Sequence, residues 1–222
     1  MIKSLALIFF LILFQQPHEK PLVISSIKDY QQQVRENPSL KLEEIIKAIP
    51  SIKLDIKYAT KDNFSGVAVY NQAKAFARKP VIIALAKVQF ELSKKGLGLK
   101  VFDAYRPYAI TEKFWKITPI DKKEFVANPK TGSRHNRGCA IDLTLIDLST
   151  GKELDMPTPY DSFAKEASPT YDDIPTKQKQ NRNLLIAVME NNGFKVIRNE
   201  WWHFDFKGWE NYPLMDIPFQ KL

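Results

Sequence analysis

Ser133-Arg134-His135-Asn136-Arg137-Gly138-Cys139-Ala140-Ile141-Asp142-Leu143 is the stretch from which this 222-residue chain is best read. It carries one of only three histidines in the sequence. From Cys139 onward the residues alternate: Ala140, Asp142 and Thr144 share one face, and Ile141, Leu143 and Leu145 share the other. A period of two marks a strand, here buried on its aliphatic face. The opposite face is small and polar and carries one carboxylate. Asp142 on such a rigid element suits a metal ligand, and Gly138 allows a bulge or a close backbone approach just after His135. Taken alone, the two residues fit a solvated aspartate and a loop histidine better than a metal site.

A second stretch, Asn199-Glu200-Trp201-Trp202-His203-Phe204-Asp205, changes that balance. Trp201, Trp202, Phe204 and Phe206 are strand formers. Glu200 and His203 lie three positions apart, so a strict strand would send them to opposite faces. Serving one site requires a bend or bulge between them, which places Glu200 in a turn and His203 at the start of a strand. Two imidazoles, one carboxylate and a spare glutamate make the kit for a three-ligand zinc site with an open fourth position and a general base. The plainer alternative makes the tryptophans core and Glu200 a solvated cap.

Ser133-x-His135-x-Arg137-Gly138-x-Ala140-x-Asp142 followed by Glu200-Trp201-Trp202-His203 closely resembles the zinc D-alanyl-D-alanine dipeptidases, the VanX-like branch of the LAS-type peptidases. The resemblance runs from about Leu54 to the C-terminus. Asp55 to Gly66 looks like the family's opening strand and loop, Asp103-Ala104-Tyr105-Arg106-Pro107 like its arginine motif, and Met156 to Phe163 like its substrate-amine segment. Tyr212-Pro213 and Asp216-x-Pro218 resemble its tail. Each piece is modest alone; in this order they are specific.

The resemblance implies one zinc ion per chain on His135, Asp142 and His203. It makes Glu200 the general base and Arg106 the stabiliser of charge on the carbonyl oxygen. Without the family, an ion pair with Asp103 is the simpler reading of Arg106. Asp161 is expected to pair with the free amine of a small dipeptide, with Tyr58 and Ser133 positioning the substrate. The implied reaction is hydrolysis of D-alanyl-D-alanine in cell-wall peptide metabolism. The rivals are a D,D-carboxypeptidase acting on peptidoglycan stems, for which Asp161 has no use, and a non-catalytic zinc-containing wall-binding module, which needs neither Glu200 nor Arg106. The stretch between Arg106 and His135 is shorter than in the best-known members, which bears on the shape of the pocket lip.

Composition agrees without being diagnostic. At 44% hydrophobic and 26% charged residues the chain is ordinary for a globular protein. The net charge of +8 comes with no long basic run interleaved with aromatics, so no nucleic-acid partner is expected. Lys3 followed by the apolar run Leu5 to Phe14 suits a signal-peptide core and is too short to span a bilayer. Export to the periplasm or medium follows, with no stable membrane span in the mature chain; a retained anchor is the alternative. The sole cysteine, Cys139, reads as a small buried thiol. Oligomeric state leaves no mark in the sequence.

Between these landmarks, Ser26 to Ile49 reads as two short helices broken at Pro38-Ser39, either a spacer or a segment packed on the domain. Ile52, Leu54, Ile56 and Tyr58 alternate as a half-buried strand. Pro80 to Lys95 predicts a helix with Val81, Leu85, Val88 and Leu92 as its buried stripe. Leu97 to Ala104 predicts a strand, Tyr108 to Trp115 a short helix, Pro119 to Gly132 an irregular lip, and Thr176 to Asn192 a helix. The strands Phe194 to Arg198 and Trp202 to Phe206 close the sheet. The expected fold is α+β, with helices packed on a mainly antiparallel sheet in a single zinc-peptidase domain. The expected organisation is residues 1–20 as signal peptide or anchor, 21–50 as a helical N-terminal extension and 51–222 as the zinc dipeptidase domain.

Overall fold

The computed structural model describes residues 20–222; the expected signal segment lies outside the described residues. Nine strands lie among the described residues: β1 (Val23–Ile24), β2 (Leu42–Glu44), β3 (Lys53–Leu54), β4 (Phe76–Arg78), β5 (Leu97–Asp103), β6 (Ala140–Asp147), β7 (Phe194–Ile197), β8 (Glu200–Phe206) and β9 (Leu214–Met215). The helices are α1 (Ile27–Glu36), α2 (Ile45–Ala48), α3 (Lys79–Ser93), α4 (Tyr108–Ile117) and α5 (Thr176–Asn191), with short 3₁₀ turns between elements. The central sheet has the order β3-β5-β6-β8-β7, parallel only between β3 and β5. Helices α3 and α5 pack together and against this sheet. This is the expected α+β architecture.

The long elements follow their side chains. In α3 a proline occupies the first turn, where its missing N–H is harmless. Val81, Leu85, Val88 and Leu92, at helical spacing, are completely buried. Gly96 ends the turn after α3 at a φ of 72°. The strand β6 is the spine of the sheet. Its polar face is covered as thoroughly as its aliphatic one, with Asp142 and Thr144 both buried.

Three local expectations are corrected. The strand expected over 52–58 is only the two residues of β3. The chain then closes a 3₁₀ turn at Lys57–Ala59, where the Tyr58 carbonyl accepts from the amides of Val69 and Tyr70 instead of a sheet neighbour. After α1, the second helix expected before Ile49 is mostly replaced: a 3₁₀ turn at Pro38–Leu40 leads into β2, and α2 keeps only four residues. Pairing of β2 with β4 outweighs the local helical pattern. Glu200, expected in a turn, is the first residue of β8, and His203 is its fourth. The bend instead appears as a break in pairing: Val196 opposes Phe204, but the next residue, Ile197, opposes Glu200.

Candidate metal and substrate site

Sheet register builds the first part of the site. Asp142 on β6 lies directly opposite His203 on β8, and Asp103 on β5 lies opposite Asp142. Directly paired residues point to the same side of a sheet, so three ionisable side chains form a row across three strands. His135 comes from outside the sheet, on a 3₁₀ turn (His135–Arg137) that ends at Gly138 with a φ of 69°. That turn is pinned on both sides. The Arg106 amide donates to the His135 carbonyl at 3.1 Å, and the Arg78 amide donates to the Gly138 carbonyl at 3.0 Å.

His135, Asp142 and His203 are all buried, and their ligand-type atoms lie within 4.8 Å of one another. His135 Nε2 is 3.2 Å from His203 Nδ1, and Asp142 Oδ1 is 3.4 Å and 3.0 Å from these two nitrogens. The outer nitrogens set the tautomers. His135 Nδ1 donates to the Ala104 carbonyl at 2.7 Å, and His203 Nε2 donates to Asp205 Oδ1 at 2.9 Å. Both inner nitrogens therefore turn lone pairs inward, and Asp142 Oδ1 has no hydrogen-bond partner. Three converging electron pairs fit a divalent cation that accepts nitrogen and oxygen donors, and each imidazole already has the outer partner that ligating histidines use. Burial works against the Asp142 anion, but the two imidazoles hold its carboxyl well below the usual range.

The remaining predicted residues converge on the same pocket, of about 870 Å³ including its mouth. Glu200 Oε2 lies 3.7 Å from His203 Nδ1. Burial pushes its carboxyl up to about 7, against the opposing pull of His203. Ser133 is buried, and its Oγ accepts from the His135 amide at 3.2 Å. Arg106 does form the ion pair with Asp103: Nε and Nη2 donate to Asp103 Oδ2 at 3.0 and 2.7 Å. Asp103 is in turn fixed by the Tyr70 hydroxyl at 2.8 Å. The guanidinium still lines the pocket, its carbon 5.2 Å from the Tyr58 ring centre and 5.0 Å from that of Phe114. Asp161 receives the Tyr58 hydroxyl on Oδ1 at 3.0 Å, while its buried Oδ2 has no partner. Burial, reinforced by the charge of Asp142, raises the Asp161 carboxyl well above its ordinary value.

Several contributors escaped the sequence reading. Asp205 orients His203; its place two residues further along β8, on the same face, is the signal that could have found it. Tyr160 donates to Asp142 Oδ2 at 2.9 Å. Three phenylalanines rim the mouth: Phe125 from the lip stacks on Phe163 at 4.8 Å, and Phe163 meets Phe64 at 5.9 Å. Nothing local in the sequence announces the last two features, because each depends on which loops the fold brings together.

Comparison with known proteins places the chain in a family. A family model described as D-ala-D-ala dipeptidase matches residues 38–220, starting earlier than the resemblance read from Leu54. A D-alanyl-D-alanine dipeptidase of Escherichia coli (strain K12) is 37% identical over 178 residues, covering 80% of this chain and 91% of the relative. One from Enterococcus faecalis (strain ATCC 700802 / V583) is 33% identical over 202 residues, covering 83% and 95%. Overlap with solved structures is looser: the LdcB LD-carboxypeptidase matches with a TM-score of 0.39 at 20% identity, over 61% of each chain.

Proposed function

The chain belongs to the D-ala-D-ala dipeptidase family of peptidases, and from that premise we propose that it hydrolyses D-alanyl-D-alanine to two D-alanines in cell-wall peptide metabolism, using one zinc ion on His135, Asp142 and His203. Zinc in such a site polarises a carbonyl and brings the pKa of a water to about 7. Glu200 takes the proton of the attacking water and passes it to the leaving amine. In the metal-free chain burial raises that carboxyl to about 7, and a carboxyl raised by burial is a better proton carrier near neutral pH than an ordinary one. Arg106, held by Asp103, presents its remaining N–H groups to the oxygen on which negative charge builds. Ser133 and Tyr58 hold the substrate between these groups.

The observation that carries the dipeptide reading is Asp161. A buried carboxylate with one unpartnered oxygen faces the same pocket as the His/Asp/His cluster. A free ammonium one residue from the scissile bond would satisfy it; an acylated nitrogen would leave it desolvated and unpaired. The wild type is therefore expected to cleave D-alanyl-D-alanine rapidly and its N-acetyl form poorly, by roughly 10²-fold or more in kcat/KM. Asp161→Ala should slow the free dipeptide strongly and the acetylated one far less. Preference of the wild type for the acetylated substrate would replace this reading with a D,D-carboxypeptidase.

Export is the second part of the proposal and rests on Lys3 and the apolar run Leu5 to Phe14. Among the described residues no helix is long and apolar enough to cross a membrane.

A further inference from the structure

We propose that the Tyr160 hydroxyl is a positioning group of the metal site, assigning Asp142 Oδ1 to the ion by occupying Oδ2. The inference rests on the reading of His135, Asp142 and His203 as zinc ligands and adds a residue that reading does not contain.

The two oxygens of Asp142 are unlike. Oδ2 accepts the Tyr160 hydroxyl at 2.9 Å. Oδ1 has no hydrogen-bond partner and lies 3.0 Å from His203 Nδ1 and 3.4 Å from His135 Nε2. A carboxylate free at both oxygens can swing about its terminal torsion, which is broad for aspartate, or offer both oxygens to a cation. A phenol on Oδ2 removes both freedoms before any ion arrives. The two imidazoles are fixed in the same way, by the Ala104 carbonyl and by Asp205. With Tyr160, each of the three ligands has one outer hydrogen bond, the arrangement that orients ligands and raises metal affinity.

Packing accounts for the ring of Tyr160 but not for its hydroxyl. The ring lies 4.8 Å from Phe102, 5.6 Å from Trp202 and 6.1 Å from Tyr58, contacts a phenylalanine would keep. The hydroxyl instead donates to Asp142. The backbone also points to a set position. Asp161, the next residue, has a φ of 61° and is the one non-glycine at positive φ among the described residues. Such a conformation persists only when its surroundings over-determine it. Here it lets consecutive side chains reach two targets, Tyr160 to Asp142 and Asp161 to the Tyr58 hydroxyl.

The test measures zinc affinity by chelator competition on the purified chain, independently of turnover. Tyr160→Phe should bind zinc about 10–100-fold more weakly than wild type. Tyr58→Phe removes a hydroxyl from the same aromatic cluster, one that serves Asp161 rather than a ligand, and should leave zinc affinity at the wild-type value. Equal affinity in Tyr160→Phe and wild type would overturn the proposal, as would an equal loss in both variants, which would mark a packing effect. A wild type that takes up no zinc would remove the ligand reading itself, and this inference with it.

Discussion

At the scale of single residues, Asp161 shows the site working against the fold. Its carboxyl is buried, one oxygen is unpartnered, and its backbone sits in the left-handed region. Burial raises its pKa above the unfolded value. Between those two values the native state holds the proton more tightly than the unfolded state, so stability falls as pH rises through that window. Asp161→Asn removes the charge, and asparagine tolerates positive φ better than most residues. In metal-free protein this variant is expected to be more stable at neutral pH by about 1–2 kcal/mol, or roughly 2–8 °C in Tm. The gain should shrink as pH falls toward the ordinary carboxylate range, where the native aspartate is protonated in both states. Melting curves from pH 4 to 8 check both magnitude and sign; a variant less stable than wild type at pH 7 contradicts the account. Residue identity made much of this site legible in advance. Histidines are scarce here, and His135, Asp142, Glu200 and His203 stand in two compact motifs. Asp205 was marked only by its place two residues beyond His203, and Tyr160 was not legible, because a tyrosine acquires such a role only from the partner that folding supplies.

Elements convert those motifs into geometry. Register sets Asp142 against His203, and the break between Val196 and Ile197 lets Glu200 enter the same pocket although it is three residues from His203. The sequence required a bend or bulge between Glu200 and His203, and the extra residues of the break, 201–203, do lie there in β8; alternation could not show that Glu200 still pairs, opposite Ile197, rather than standing in a turn. The His135 turn is the other critical element, and Gly138 ends it. A Cβ there would lie 2.6 Å from Leu42 Cδ2 and 3.4 Å from Arg78 Cγ, on a backbone with a φ of 69°. Left-handed backbone costs a non-glycine residue about 1–2 kcal/mol, and overpacking adds about 1–3 kcal/mol. Gly138→Ala is therefore expected to lower unfolding stability by roughly 2–5 kcal/mol and to weaken zinc binding, since strain is relieved most directly by moving the turn that carries His135. Urea titration and chelator competition on the one variant test the two effects. Loss of stability without loss of zinc affinity would show that the turn holds His135 independently of Gly138.

In the whole molecule, the N-terminal segment is woven into the core that carries the site. The sequence left open whether residues 26–49 were spacer or packed segment, because amphipathic pattern shows that a face is apolar without showing what covers it. In the folded chain Tyr30, Leu42, Ile45 and Ile49 are buried. β1 pairs with β9 near the C-terminus, and β2 pairs with β4. Arg78 draws these parts together. Its guanidinium is buried with no carboxylate partner among the described residues, donating instead to the carbonyls of Leu40, Arg137 and Pro213, at 2.7 Å for Arg137 and 3.4 Å for Pro213. The Arg137 carbonyl belongs to the turn that carries His135, so the N-terminal segment, the metal turn and the C-terminal segment share one cation. A chain begun at residue 51 would leave that cation short of an acceptor and expose β4. Four buried apolar side chains at about 1.5–3 kcal/mol each amount to roughly 6–12 kcal/mol, comparable with the whole stability of a typical domain, about 5–15 kcal/mol. Residues 51–222 are therefore expected to lack a cooperative thermal transition and to take up no stoichiometric zinc, whereas residues 20–222 should unfold cooperatively and bind one zinc ion per chain. Calorimetry and elemental analysis on the two chains decide it. A cooperative, zinc-loaded 51–222 chain would mean that the central sheet and its two long helices hold the metal turn without the segment wrapped around them.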